Sequence, residues 1–243
     1  MENYSYKHQL SLYIMQISTI CDKIEPGGYM RLRNVKNKDI IMNNSTYLVK
    51  NYYELKGKWS KYFNNNNPIY IEIGMGKGKF IIENAIKYPN INFIGIEKYD
   101  SVIAKALKKI PEGLNNLVML RCNALDIDQV FDHEIEHIFL NFSDPWPKNR
   151  HHLRRLSSKV FLTKYDSIFK KDKTIEMRTD NRELFEYSLV SFSEYGYVLN
   201  KVSLDFHKEE VPEITTEYED KFSSEGLPIY YLLCSKGFVK KRK

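Results

Sequence analysis

The chain has 243 residues, 42% of them hydrophobic, which suits one α/β domain with a sizeable core and a short N-terminal appendage. Its 37 Lys and Arg outnumber 31 Asp and Glu, and the net charge of +6 fits a polyanionic partner. No apolar run approaches the roughly 20 residues that span a bilayer, and the stretch 10–20 lacks the flanks of a secretory signal. The 3 cysteines match no metal spacing, which predicts reduced thiols, no bound metal and a cytoplasmic location.

Residues 1–29 differ from the rest of the chain and contain a Gly-Gly pair directly before Tyr29 and Met30. Such a pair can be encoded by GGAGGN, which resembles a bacterial ribosome-binding site one codon upstream of a start. We therefore expect Met30 to be the native start and residues 1–29 to be a non-native or disordered extension. Residues 30–243 are then expected to form a single domain. The alternative is a genuine, loosely ordered N-terminal arm.

From Pro68 onward, short apolar runs alternate with stretches of helical spacing. The predicted strands are 69–73, 92–96, 117–122, 137–142, 174–177, 197–206 and 229–235. The predicted helices are 80–88, 102–110, 160–169 and 183–195, with a short helix between residues 208 and 228. This alternation predicts a doubly wound, mostly parallel α/β sheet. The last two strands follow each other closely, so we expect the final strand to run antiparallel at the edge.

A glycine-rich loop follows the first predicted strand and opens the first helix, which is where a doubly wound fold binds its cofactor. The loop reads Glu72-Ile-Gly74-Met-Gly76-Lys-Gly78. A P-loop would need Gly-Lys-Ser/Thr, and a dinucleotide fingerprint would need glycine or alanine where Lys79 stands. The form acid-x-Gly-x-Gly-x-Gly instead resembles the first motif of S-adenosylmethionine-dependent methyltransferases, in which the acid lies near the methionine end of the cofactor.

Two residues at the ends of later strands fit the same cofactor. Glu97 ends the second strand, where it would accept hydrogen bonds from ribose hydroxyls. Asn123 follows the third strand, where it would contact the adenine ring. The alternatives are that the glycine loop is only a tight structural turn and that Asn123 is only a turn residue.

Residues 141–155, NFSDPWPKNRHHLRR, are the most distinctive stretch of the chain. Asp144 lies between the end of the fourth strand and Pro145, so its backbone is stiff and it faces the edge that carries the glycine loop. Because N7 of guanine already carries a lone pair, we expect the acid to hold and orient the base rather than to deprotonate it. If the acceptor were an exocyclic amine, the same acid would orient the amine. The remaining alternative is that Asp144 only caps a turn.

The end of this stretch is strongly basic, and Trp146 precedes the basic residues. The cationic and titratable side chains are Lys148, Arg150, His151, His152, Arg154 and Arg155. Contacts from these side chains to phosphate would position a nucleic acid without reading its sequence. The alternative is an ordinary solvated loop. For Trp146, core packing and base stacking are both open.

Two further polar segments follow later strands. Asp180 comes after the fifth strand, where it would contact the substrate or cap the helix that begins at Asn181. Thr216 and Glu219 have the spacing of a capping box at the start of the last short helix.

Together these motifs resemble the bacterial tRNA (guanine-46-N7)-methyltransferase family, TrmB. The resemblance covers residues 30–232 and rests on MRLRN, ELKGKW, IEIGMGKGKF, FIGIEKYDSV, LNFSDPWPKNRHHLRR, TDN, LFEYSL and TEYEDKF. The Asp-Pro-Trp-Pro segment with its basic tail is the most specific of these, whereas the glycine loop alone would not identify a family.

The resemblance implies a Rossmann-like class I methyltransferase that uses S-adenosylmethionine and forms N7-methylguanosine in the tRNA variable loop. It implies cofactor contacts from Glu72, Gly74, Gly76, Gly78, Glu97, Asn123 and Asp144, with Asp144 also the catalytic acid. It implies substrate contacts from Lys148, Asp180, Thr216, Glu217, Tyr218 and Glu219. It implies an RNA-binding segment made of Arg150, His151, His152, Leu153, Arg154 and Arg155. Asn123 departs from the family pattern, which has an acid there.

Two other functions are compatible with parts of the sequence. An amino-methyltransferase acting on adenine would have an acid or Asn followed by Pro-Pro and an aromatic residue, but here Trp146 directly follows Pro145. A non-catalytic RNA-binding scaffold would be expected to have lost parts of the cofactor motif, whereas Glu72, Gly74 and Asp144 are intact. The sequence leaves the oligomeric state open between monomer and homodimer.

Overall fold

The computed structural model describes residues 35–237, so the predictions for residues 1–29 lie outside the described residues. The strands are β1 Leu48–Val49, β2 Ile69–Ile73, β3 Asn92–Glu97, β4 Leu117–Arg121, β5 Ile135–Asn141, β6 Phe169–Thr179, β7 Val198–Ser203 and β8 Tyr230–Lys236. The α-helices are α1 Lys38–Asn44, α2 Trp59–Tyr62, α3 Lys79–Lys87, α4 Asp100–Leu107, α5 Ile127–Val130, α6 Lys159–Ile168, α7 Arg182–Glu194, α8 Phe206–Glu209 and α9 Glu217–Ser224. Short 3-10 helices span Tyr52–Leu55, Ala124–Asp126 and Asn149–Arg154.

None of the helices within residues 35–237 has the length and apolar content needed to cross a membrane.

The eight strands form one sheet in the order β1-β4-β3-β2-β5-β6-β8-β7. Strands β1 to β6 pair in parallel, and β8 runs antiparallel to both β6 and β7. The predicted mostly parallel sheet with an antiparallel strand on this side is therefore confirmed. The final strand differs from the prediction in its place, because it lies between β6 and β7 and leaves β7 outermost. Burial is consistent with this order: β8 is rich in apolar residues and has three buried and no exposed residues, whereas the more polar β7 has one buried and two exposed residues.

The predicted elements that surround the glycine loop match the structure closely. The strand predicted over 69–73 is β2, and the helix predicted over 80–88 is α3, shifted by one residue. The largest difference is β6, which begins at Phe169 rather than at residue 174. Its charged residues 170–173 indicate a loop, but Lys173 still pairs with Lys236 of β8 and extends the ladder.

The two faces of the sheet are covered differently. Ile69, Ile71 and Ile73 of β2 point into the larger core cluster, which includes side chains of α6 and α7. The intervening residues Tyr70 and Glu72 face the opposite side, where α3 and α4 pack. Glu72 therefore lies under the helix that the glycine loop opens.

The same face over β6 to β8 is covered by residues 204–229, which we call the covering segment. A small apolar cluster formed by Phe206, Ile229 and Tyr231 holds this segment on the sheet, and Phe142 and Phe222 pack against the cluster. Partly exposed ion pairs also tie it to α3 and to the turn after α4, through Lys79–Asp220, Lys87–Glu213 and Lys109–Glu217. The segment is thus attached by one apolar and several ionic contacts.

One buried arginine makes the strongest polar attachment of the covering segment. Arg178, 7% exposed, lies on β6, and its guanidinium Nη1 is 3.1 Å from Oε2 of Glu219, which is 0% exposed. The same nitrogen donates to the carbonyl oxygen of Ile214 at 2.9 Å, and Nη2 donates to Oε1 of Glu176 at 3.0 Å. Burial alone lowers an arginine pKa, but the two carboxylates outweigh it and raise the pKa of Arg178. The guanidinium thus stays charged between β6 and α9.

We expect Glu219→Gln to lower the free energy of unfolding by about 3 kcal/mol, because it removes a countercharge from a buried arginine. Glu217→Gln, two residues earlier in α9, is the matched control. It breaks a partly exposed pair with Lys109 and should cost no more than about 1 kcal/mol. Urea unfolding of both variants measures the difference, and equal losses would contradict a structural role for the Arg178–Glu219 pair.

Candidate active site

The glycine loop leaves space beside its first two glycines and none beside the third. Gly74, Gly76 and Gly78 all have positive φ angles, of 81°, 57° and 77°. A Cβ atom at Gly74 or Gly76 would meet nothing within 4 Å among the described atoms. At Gly78 it would lie 3.0 Å from the Cβ atom of Ala106. Gly78 therefore allows α3 to pack closely on α4, while the first two glycines border open space.

Glu72 and Asn141 form a buried polar pair directly under this loop. The Asn141 Nδ2 amide donates to Oε1 of Glu72 at 2.9 Å, and the two side chains are almost completely buried. The other two oxygens, Oε2 of Glu72 and Oδ1 of Asn141, have no hydrogen-bond donor among the described residues. Burial raises the pKa of Glu72 to about 8, against the smaller opposing effect of the Asn141 hydrogen bond. Two buried acceptors without donors indicate a site for a ligand that carries N–H groups or a positive charge.

Glu97 and Asn123 lie at the ends of the neighbouring strands, as the sequence predicts. Oε1 of Glu97 accepts hydrogen bonds from the backbone N–H groups of Lys98 and Tyr99, at 2.7 and 3.1 Å. Oδ1 of Asn123 accepts from the backbone N–H of Leu125 at 3.1 Å and so caps the following 3-10 helix. The turn role considered for Asn123 is therefore realised by its oxygen, and its Nδ2 group is the part that can face a ligand.

The loop that follows β5 places Asp144 at the same edge of the sheet. Asp144 is exposed and lies between two residues with left-handed backbone conformations, Phe142 at φ 49° and Trp146 at φ 43°. The backbone N–H of Phe142 donates to the carbonyl oxygen of Arg178 at 2.8 Å. Bulky residues rarely adopt this conformation, and such residues concentrate at functional sites.

Arg155 holds this loop from beneath. Its Nε donates to the carbonyl oxygen of Pro145 at 2.9 Å, and its Nη2 donates to that of Trp146 at 3.2 Å. The guanidinium carbon lies 4.4 Å from the centroid of the Tyr187 ring, and the side chain is 7% exposed. Arg155 is thus the most buried member of the expected RNA-binding segment, and two of its N–H groups already bond to carbonyl oxygens of the loop.

The other members of the basic run are more accessible. Residues 149–154 form a 3-10 helix, and Lys148, Arg150, His152 and Arg154 are exposed on it or next to it. Leu153 is also exposed, whereas His151 is half-buried with its ring edge against Trp146. The guanidinium carbon of Arg154 lies 5.0 Å from the centroid of the Trp146 ring. Trp146 is thus half-buried with a cationic partner and belongs to neither of the large core clusters.

The remaining predicted substrate residues separate into two groups. Asp180 is half-buried and does not cap α7, because Asn181 does so through its own side chain. Thr216 and Glu219 form the predicted capping box, and both are buried, so they support α9 rather than face solvent. Glu217 pairs with Lys109, and Tyr218 is 39% exposed. Asp180, Glu217 and Tyr218 are therefore the members that remain accessible to a substrate.

The sequence did not predict two residues of this site, Asn141 and Arg178, which are neighbours in the register of β5 and β6. Asn141 lies inside the strand predicted over 137–142, and Arg178 directly follows the strand predicted over 174–177. Their signal was a polar residue in an apolar strand, directly before the acidic loops that contain Asp144 and Asp180. Among residues 35–237, no group of three or more His, Cys, Asp or Glu side chains is arranged to hold a metal ion.

Comparisons with known proteins identify the family. Residues 66–232 match the family model described as "Putative methyltransferase". A tRNA (guanine-N(7)-)-methyltransferase of Oceanobacillus iheyensis is 48% identical over 215 residues, which are 87% of this chain and 100% of that protein. A protein of the same name from Geobacillus sp. is 51% identical over 205 residues, which are 83% of this chain and 93% of that protein.

Solved structures with low sequence identity share the fold. An antibiotic-related methyltransferase is 19% identical with a TM-score of 0.58, covering 74% of this chain and 93% of that one. The 16S rRNA methyltransferase KamB is 14% identical with a TM-score of 0.56, covering 74% of this chain and 93% of that one. The extent of the sequence matches, on a fold of this class, shows that the chain belongs to the tRNA (guanine-N7)-methyltransferase family.

Proposed function

We propose that the protein transfers a methyl group from S-adenosylmethionine to N7 of the guanine at position 46, in the variable loop of tRNA. The observation that carries the proposal is the pair of donorless buried acceptors on Glu72 and Asn141, beside open space at Gly74 and next to the Asp144 loop. The names of the relatives support guanine N7 in tRNA, and we extend them to position 46 and to a cytoplasmic location.

The residues of the glycine loop and the strand ends fit the proposed cofactor. Oε2 of Glu72 and Oδ1 of Asn141 would accept hydrogen bonds from the ammonium group of its methionine part. The carboxylate of Glu97 would accept from the ribose hydroxyls, and Nδ2 of Asn123 would donate to the adenine ring. The cofactor supplies a methyl group on a positively charged sulfur, ready for displacement by a nucleophile.

Asp144 would act on the guanine rather than on the cofactor sulfur. Its carboxylate can accept from the N–H groups on the Watson–Crick edge of guanine and hold N7 in line with the methyl group. The negative charge also stabilises the positive charge that develops on the ring as N7 is alkylated. No proton has to leave N7, so the role of Asp144 is orientation and electrostatic stabilisation.

Methylation of unmodified tRNA transcripts tests the proposal directly, with the product nucleosides and the modified position identified by mass spectrometry. Asp144→Ala should lower kcat by roughly 100-fold or more, because the base loses its orienting carboxylate. The control is Asp132→Ala, which removes an exposed carboxylate on the loop before β5 and should leave kcat near the wild-type value. Methylation at an atom other than N7, or a fully active Asp144→Ala variant, would contradict the proposal.

We expect cofactor binding to release close to one proton from Glu72 at pH 6.5. The pKa of Glu72 is about 8 without ligand, so the carboxyl group is protonated at this pH, and a bound ammonium favours the carboxylate. At pH 6.5 the amino group of the ligand is still fully charged. Calorimetry with S-adenosylhomocysteine in buffers of different ionisation enthalpy measures the released proton. Glu72→Gln should bind more weakly and release none, and release that is unchanged in this variant would exclude Glu72 as the source.

The adjacent residues Arg154 and Arg155 should respond differently to the same substitution. Arg154→Ala removes an exposed cation and should weaken tRNA binding several-fold and reduce the salt slope by about 1. Arg155→Ala releases the loop that carries Asp144 and should lower kcat by about 10-fold or more while leaving the salt slope unchanged. Filter binding at several salt concentrations and steady-state kinetics distinguish the two. An equal loss of salt slope in both variants would place Arg155 on the RNA.

A further inference from the structure

Three aromatic rings lie together beside the Asp144 loop. The ring centroids of Phe142, Tyr218 and Phe222 are 6.1, 6.0 and 6.2 Å apart in pairs, and the three ring planes lie within 25° of one another. In a column, the two outer rings would be about twice as far apart as neighbouring rings. The nearly equal distances therefore describe a triangle of similarly oriented rings rather than a column.

This aromatic triangle is adjacent to the charged groups of the site. Phe142 precedes Asp144 by two residues. Burial, and then the charges of Asp144, Glu217, Glu97 and Asp180, raise the pKa of Tyr218, which places its ring among the carboxylates at this edge. Tyr218 remains a neutral phenol, so its ring offers a flat, uncharged surface in an acidic surrounding.

The triangle is only partly used by the core. Phe142 and Phe222 are half-buried against Phe206, Ile229 and Tyr231, so they have apolar support on the protein side. Tyr218 retains 39% exposure, and the large apolar cores do not include any of the three rings. The ammonium of Lys221 lies 5.2 Å from the Phe222 ring centroid. Its positive charge partly opposes the effect of burial, which raises the pKa of Asp180.

We propose that Phe142, Tyr218 and Phe222 form a stacking surface for the methyl-accepting guanine, an inference that rests on the proposed function. A purine has a flat face that stacks on aromatic rings and a polar edge that needs hydrogen-bond acceptors. The triangle supplies the first requirement and Asp144 the second, next to each other at the same edge of the sheet. In this arrangement the rings fix the tilt of the base and the Asp144 carboxylate fixes its rotation. Lys221, next to Phe222, would bind the phosphate of the same nucleotide.

The left-handed conformation of Phe142 is consistent with this role. A residue with φ 49° at this point turns its side chain toward α9, although a bulky residue rarely adopts that angle. This backbone conformation is energetically unfavourable for phenylalanine. Such conformations concentrate at functional sites, and here the loop also carries the acid that must face the acceptor. The triangle thus joins the Asp144 loop to the covering segment through ring contacts.

The test is a cycle in which either the ring or the base is removed. The base position is first mapped by mass spectrometry on tRNA methylated by the wild-type protein, and a second tRNA carries an abasic residue there. Affinity is measured with S-adenosylhomocysteine bound, for the wild type, Tyr218→Leu, Phe222→Leu and Tyr218→Phe. Tyr88→Leu, an exposed tyrosine at the end of α3, is the matched control.

We expect base removal to weaken wild-type binding by about tenfold, and Tyr218→Leu to weaken binding of intact tRNA by a similar factor. For Tyr218→Leu, base removal should then have little further effect, since the ring and the base are partners. Phe222→Leu should show the same coupling to a smaller degree. Tyr218→Phe should bind as the wild type does, because it keeps the ring, and so should Tyr88→Leu.

Two outcomes would overturn the inference. If Tyr218→Leu loses as much affinity as the wild type on base removal, the rings do not contact the base. If Tyr218→Phe loses as much as Tyr218→Leu, the hydroxyl group and not the ring is responsible. Thermal melting and S-adenosylhomocysteine affinity confirm that each variant is folded. If the wild type methylates no guanine, the proposed function itself fails, a result that is separate from either of these.

Discussion

The buried guanidinium of Arg178 is the interaction on which the rest of the site depends. It lies on β6 and forms ion pairs with the carboxylates of Glu176 and Glu219, which would otherwise lose their arginine countercharge inside the protein. Through the Ile214 carbonyl and Glu219 it fixes the covering segment, and through its own carbonyl it receives the N–H of Phe142. One side chain and its backbone therefore set the positions of the covering segment and of the loop that carries Asp144.

The arrangement also explains why the polar residues of the site lie on one face of the sheet. Asn141 and Arg178 are register partners on β5 and β6, and Asn141 hydrogen bonds Glu72 of β2, so the three form a polar row across the sheet near its carboxyl edge. Such a row would be costly under an ordinary amphipathic helix. Here it is covered partly by the glycine-loop helix and partly by a segment that supplies its own charged partners. The buried polar row therefore needs a covering segment that supplies charged partners, and the covering segment needs the polar row to hold it on the sheet.

Much of this organisation was predicted from the sequence, because the relevant signals are local. Apolar runs, helix-ending prolines and the glycine loop determine the order of strands and helices, and the capping box of Thr216 and Glu219 is a four-residue pattern. The insertion of β8 between β6 and β7 was not predicted, since strand order depends on contacts distant in sequence. The different environments of Arg154 and Arg155 were not predicted either, because the two residues have the same chemistry and differ only in burial and contacts. The sequence therefore predicts which charged and polar side chains lie near the site, but only the folded structure shows which of them are exposed to a ligand.

The unpartnered oxygens of Glu72 and Asn141 have a consequence for the lifetime of the protein in a cell. Without a ligand, the fold contains buried acceptors whose desolvation is not compensated, so the native state is less stable than its packing would allow. A ligand that binds only the native state adds about 2.7 kcal/mol at a concentration 100 times its dissociation constant. If the cofactor is the proposed one, starvation for it would raise the fraction of unfolded chains exposed to proteases. The abundance of the enzyme would then follow the supply of its methyl donor without any dedicated regulator.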